Sequence, residues 1–247
     1  MPIQFTRGVK FLLMSTFMSF IVQQTADQFF GTHFFSIFAL TPTGFFDHYS
    51  WWQLLTYSFL NTDVIPLFFN LFILAQLGPD LERAWGTKRF LVYYFFCAAS
   101  VAFFYLIFFG IFARGSGYYG ALAGPSGAIY GLFAAYGLIF GESMMAFPPM
   151  KFKHFILILV VFQLMLSVYT PGGSWAAFAH LTGMASGFVY LWAQTRWLLR
   201  QKKRALYTKL APKSKKRQAK HLRLVSSRPG DLDRDDSDSD GHPKTWH

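Results

Sequence analysis

The chain has 247 residues, of which 53% are hydrophobic, 20% aromatic and only 14% charged, with a formal net charge of +11. Average soluble domains carry about a quarter charged residues. A globule of this size has no interior able to hide so many apolar side chains, which excludes a water-soluble fold and leaves a membrane protein.

The N-terminus carries Arg7 and Lys10 followed by an apolar run from Phe11 to Val22. Gln23, Gln24 and Asp27 come next rather than a small-x-small cleavage site, so the segment reads as an uncleaved first transmembrane helix. Six apolar stretches can cross roughly 30 Å of hydrocarbon at about 1.5 Å per residue: Val9 to Phe30, Val64 to Leu81, Phe90 to Phe112, Pro125 to Phe140, Phe155 to Tyr169, and Ala176 to Leu198. The expected fold is an all-α polytopic bundle of six transmembrane helices spanning residues 1–200. Arg7, then Arg83, Lys88 and Arg89, then Lys151 and Lys153, then Arg196 to Arg204 all fall on one side, against Arg114 alone on the other. That alternation predicts cytoplasmic termini.

The connection between the first two spans is long and rich in Phe45, Phe46, Tyr49, Trp51 and Trp52, rings that suit the headgroup interface. Cys97, the single cysteine, lies inside the third span and reads as a small core residue; it permits neither an intrachain disulfide nor a thiolate zinc site. Residues 201–247 are polybasic to Leu224 and acidic from Asp231 to Asp240, a composition that buries no core and reads as a disordered cytoplasmic tail. Its basic part suits anionic lipid headgroups. Nucleic acid is not expected as a partner, because nothing supplies base readout or a stacking platform.

Polar groups inside the spans are few, and each is a candidate for chemistry. No Asp or Glu falls mid-span, which removes a paired-carboxylate mechanism. There is no HExxH, so no metal and no cofactor is expected. His180 is the one histidine inside a span. It shares a helical face with Gly183 and Gly187, a GxxxG pair that admits a close neighbour. The fourth span supplies a matching pair, Gly127 and Gly131, with Ser126 at its start. Counting from Arg200 and Glu142 places His180 ~30 Å and Ser126 ~24 Å from the cytoplasmic surface. Two closely packed helices at similar depth can form a nucleophile–base pair. A helix N-terminus at Ser126 also favours a developing oxyanion. Spacing alone favours a plainer reading, in which Ser126 caps its helix and His180 bonds a neighbouring carbonyl.

GPSGAIYG, Gly124 to Gly131, resembles the rhomboid GxSG motif, and AHLTG, Ala179 to Gly183, resembles that family's histidine motif. Trp51 to Asn70 is similar to the family's first loop and second-helix entry, and Glu82 to Phe90 to its turn into the third helix. The resemblance implies a six-helix rhomboid-like core in a multi-pass protein of a bacterial inner membrane. It implies an intramembrane serine protease in which Ser126 attacks and His180 takes the proton. Tyr130 would be the aromatic ring on which the histidine stacks, and Asn70, with the Ser126 backbone N–H, the oxyanion hole. Gly124, Gly127, Gly183 and Gly187 would support the pair. The substrates implied are transmembrane proteins cut in or near a membrane segment.

Two positions depart from the pattern. Pro66 stands where the family often has histidine, and losing one oxyanion donor costs on the order of 10²-fold in rate. Pro125 precedes the serine, as in inactive members, yet it removes only its own N–H and presets a φ that suits a first helical turn. The rival reading is a catalytically inactive member that binds transmembrane clients. A transporter would want charged or unwound elements at mid-membrane, and none is visible.

Overall fold

The computed structural model describes residues 4–29, 34–112, 120–145, 149–169 and 175–210. In chain order its elements are α1 (Arg7–Phe29), three short helices α2 (Phe34–Phe38), α3 (Pro42–Phe46) and α4 (Gln53–Thr56), a 3₁₀ turn (Tyr57–Phe59), α5 (Val64–Trp85), α6 (Thr87–Phe112), α7 (Ser126–Phe140), α8 (Phe152–Tyr169) and α9 (Trp175–Leu210). Among the described residues there is no β-strand, only isolated antiparallel bridges at Leu40–Leu122 and Met144–Lys151.

The predicted spans fall on α1, α5, α6, α7, α8 and α9. Among the described residues three helices are both long and apolar enough to cross a bilayer: Val64–Trp85, Thr87–Phe109 and Phe152–Tyr169, at mean hydropathies of 1.6, 2.1 and 1.9. Helix α7 is apolar but has 15 residues, about 22 Å of rise. Gln23, Gln24 and Asp27 dilute α1, and the Lys and Arg residues beyond Thr195 dilute α9. Val64, Phe68, Leu157 and Val168 are among the many large apolar side chains left exposed, a surface that only lipid would solvate well.

The chain divides into two units, residues 1–195 and 196–247. In the second, residues 196–210 are helical and, apart from Leu198, exposed as far as 208. The rest of the predicted tail, including Asp231 to Asp240, lies outside the described residues, as do Arg114 and His33.

Within the first unit the core joins Val9 and Leu12 of α1, Leu74 and Leu81 of α5, Phe90 to Ala98 of α6, and Ile129 and Leu132 of α7. Cys97 is fully buried there. Gly86 makes the one-residue turn between α5 and α6 at φ +81, a left-handed conformation that only glycine adopts without strain. Beside it, Glu82 closes the start of α1. Its carboxylate accepts from the backbone N–H of Gly8 and of Val9, both at 2.8 Å, and from the hydroxyls of Thr6 and Thr87. The first N–H groups of a helix have no partner within it, and a carboxylate also complements the helix dipole.

The connection after α1, expected as an interfacial loop, is built in part from short capped helices. Thr41 Oγ1 accepts from Gly44 N at 3.0 Å, and Pro42 follows as the first helical residue. Gln53 and Thr56 donate to the Ile37 and Phe38 carbonyls. Leu40 then exchanges both backbone hydrogen bonds with Leu122, each 2.9 Å, which ties this segment to the strand-like stretch leading into α7.

Candidate active site

Ser126 is the first residue of α7, and three features upstream aim it. The Leu40–Leu122 bridge fixes the approach. Gly124 donates its N–H to the Tyr57 carbonyl at 2.9 Å, and the Tyr57 hydroxyl is held on the Ala98 carbonyl of α6 at 2.7 Å. Gly124 then turns at φ +116, so that a Cβ there would lie 3.9 Å from both the Leu60 carbonyl oxygen and Ser126 Oγ. A side chain at this φ would be strained, which is why glycine precedes the serine by two. Pro125 sits at φ −75 and its carbonyl accepts the first helical bond, from Ile129 N at 3.0 Å. The proline therefore costs the helix nothing; its ring supplies the φ the entry requires. Ser126 itself is half-buried, while Gly124, Pro125 and Gly127 are buried.

His180 lies in the second turn of α9. Its ring stacks on Tyr130 of α7, centroids 3.9 Å apart and planes within 8° of parallel. Tyr130 is four residues after Ser126 and so on the same face of α7. The approach of α7 and α9 that permits this stacking is set by the glycines. A Cβ on Gly183 would fall 1.9 Å from the Gly127 carbonyl oxygen; one on Gly187 would fall 3.2 Å from that of Gly131, and one on Gly127 3.4 Å from that of Ala179. The backbones thus meet on the turn between Ser126 and Tyr130 and beside His180. Tyr93 of α6 locks the pair from behind, donating to the Gly131 carbonyl at 2.7 Å with its hydroxyl pressed against Gly187. Among the described residues His180 Nδ1 is buried with no hydrogen-bond partner. The ring is oriented by stacking and packing, with no carboxylate on that nitrogen.

Asn70 is buried on α5, and its Nδ2 donates to Asn61 Oδ1 at 2.9 Å. The Asn61 carbonyl accepts from Gln23 Nε2 of α1 at 3.0 Å. Pro66, in the first turn of the same helix, is exposed, and a residue there needs no N–H for the helix. Among the described residues the amide bonds of the site join Asn70 to Asn61 and Gln163 to Tyr130; no hydrogen bond runs from Ser126 to His180 or to Asn70.

Asn61 and Gln163 escaped the sequence reasoning. Gln163 is a buried amide on the otherwise lipid-facing α8, and its Nε2 donates to the Tyr130 hydroxyl at 2.6 Å. The available signal was an amide inside the apolar run FILILVVFQLML.

The model of the Rhomboid domain matches residues 48–197, more than half of the chain. The chain belongs to the rhomboid family. The matched span contains Asn70, Gly124, Ser126, Gly127, Tyr130, His180, Gly183 and Gly187, so every residue picked out above as a candidate lies within the rhomboid domain. Among curated proteins it is similar to "Putative rhomboid protease YdcA" of Bacillus subtilis (strain 168), 28% identical over 153 residues. That similarity covers 56% of this chain and 65% of the relative, so less than two thirds of the relative's length is spanned. Membership of the rhomboid family, together with the long apolar helices, makes this an integral membrane protein of a protease family, its surface in contact with lipid.

Proposed function

We propose that this chain is an intramembrane serine endopeptidase with six transmembrane helices, α1 and α5 to α9, and both termini in the cytoplasm. Its substrates are other transmembrane proteins, cut in or near a membrane segment. Ser126 is the nucleophile and His180 its base. Its membrane is a bacterial inner membrane, and the basic start of the tail, residues 201–224, rests on anionic headgroups.

The observation that carries the reading is the backbone contact of α7 with α9 at Gly127 and Gly183, with His180 stacked on Tyr130 one turn away. In the reaction Ser126 Oγ adds to the scissile carbonyl as its proton passes to His180. The oxygen that becomes negative faces the N–H groups at the start of α7 and the amide of Asn70. Collapse of the tetrahedral intermediate breaks the C–N bond. The leaving amine takes the proton from His180, and a water then releases the acyl group by the same steps in reverse. Stacking takes the orienting role that a third acidic residue has in a triad.

A rhomboid that binds clients without cutting them is the second reading, favoured by Pro66 and Pro125. The φ of −75 at Pro125 weakens half of that case, since the residue fits the helix entry it occupies. Labelling with a fluorophosphonate, which reacts with activated serines and needs no known substrate, separates the two. The protease reading requires labelling that Ser126→Ala and His180→Ala each abolish. A folded wild-type protein that stays unlabelled would favour the client-binding reading.

A further inference from the structure

Pro66 leaves this chain without the side-chain donor that the family often places one turn before Asn70, so whatever Asn70 does, its own carboxamide must be well held. The structure shows what holds it. Asn61 is 1% exposed, and its Oδ1 takes one of the two N–H groups of Asn70 at 2.9 Å. The backbone of Asn61 is in turn fixed by Gln23 of α1, through the 3.0 Å bond to its carbonyl. The residue before it, Leu60, directs its carbonyl toward Gly124, at the same 3.9 Å from that residue's Cβ position as Ser126 Oγ. The backbone just before Asn61 therefore borders the turn that presents the serine.

The pair leaves polar atoms uncompensated. Asn61 Nδ2 and Gln23 Oε1 are both buried with no hydrogen-bond partner among the described residues. Buried polar atoms of this kind are rare in native proteins and each one asks for a reason. An apolar side chain at 61 would avoid the desolvation of the free N–H, yet it could not engage Asn70.

We infer that Asn61 is a positioning residue of the oxyanion site: it engages one N–H of Asn70 and so leaves the other directed at the carbonyl oxygen of a substrate bound at Ser126. The inference rests on the protease reading above and assigns the oxyanion donor a second amide, drawn from the segment before α5, together with a tie to α1. Asn61 touches no reacting atom; it acts through Asn70.

The test is a cycle of fluorophosphonate labelling rates, because the phosphonyl oxygen of the adduct occupies the place of the oxyanion. Wild type, Asn61→Ala, Asn70→Ala and the double variant are compared as full-length protein in detergent, each checked for cooperative thermal unfolding. Asn61→Ala is expected to slow labelling at least tenfold, and the double variant to label no more slowly than Asn70→Ala. Gln23→Leu, which removes only the tie to the Asn61 carbonyl, is expected to slow labelling a few-fold in the Asn70 background and not at all in the Asn70→Ala background. That variant decides the matter should Asn61→Ala fail to fold. Wild-type rates in Asn61→Ala and Gln23→Leu, or losses that multiply in the double variants as independent structural damage would, overturn the inference. A wild type that never labels overturns the protease reading itself, and the inference with it.

Discussion

Gly183→Ala adds one methyl group where the structure has no room for it. The new Cβ would sit 1.9 Å from the Gly127 carbonyl oxygen and 2.8 Å from its carbonyl carbon. Real Cβ contacts do not fall below 3.0 Å, so α7 and α9 must part by about 1.1 Å. The obstacle is backbone on both sides, so no rotamer change relieves it, and Tyr93, bonded to Gly131, resists the movement from behind. Overpacking of this kind costs about 1–3 kcal/mol. The effect on reaction is larger, since a shift of ~1 Å between reacting groups costs on the order of 10²-fold, and Ser126 and His180 stand on opposite sides of this contact. Thermal unfolding in detergent and the second-order rate of fluorophosphonate labelling measure the two effects separately. Gly120→Ala, with nothing within 4 Å of its Cβ, is the neutral control. Gly131→Ala meets Cys97 Sγ at 2.6 Å and the Gly183 carbonyl oxygen at 3.3 Å, a milder backbone conflict, and should fall between them. A Gly183→Ala protein that unfolds and labels like wild type would refute the argument that this contact sets the site.

Tyr130→Leu removes the face on which His180 stacks and should cut labelling about two- to tenfold, the stacking being worth roughly 0.5–1.5 kcal/mol. Tyr130→Phe keeps the ring and loses only the Gln163 bond, so labelling within about threefold of wild type is expected, with a stability loss of about 1 kcal/mol. Glu82→Ala strips the N–H groups of Gly8 and Val9 and two threonine hydroxyls of their common acceptor. With charge-assisted bonds worth about 1.5–3 kcal/mol each and water repairing part of the loss, a destabilisation of about 3 kcal/mol is expected in chemical denaturation. Gly124→Ala forces a side chain to φ +116 and should cost about 1–3 kcal/mol, read as a lowered unfolding temperature and slower labelling.

The helices that carry the candidate residues were legible because their signals are local and periodic. Gly127 with Gly131, and Gly183 with Gly187, repeat at four, and each pair lies close to a candidate residue, Ser126 or His180. Charge gave the helix ends: Lys and Arg are absent from Phe11 to Glu82, which holds two apolar stretches and the connection opposite the basic side. The polar contacts between distant residues were not legible. Nothing in the sequence near Glu82 announces that it will cap a helix more than seventy residues earlier, and the bond from Gln163 to Tyr130 joins two helices across the histidine's support. The short helices after α1 were missed because five residues are too few to establish a period, and their stability comes from Thr41, Gln53 and Thr56 side chains bonding backbone within the loop. Nothing in the sequence around Asn61 points to its bond with Asn70.

The most direct test of the account is cleavage of a single-pass reporter in vesicles, its membrane segment built with small and helix-breaking residues, by wild type and by Ser126→Ala. The account predicts that the wild type cuts within or beside the segment and that Ser126→Ala leaves the reporter whole. A reporter that stays intact with both proteins, yet co-purifies equally with each, would contradict it and make this rhomboid a client-binding protein.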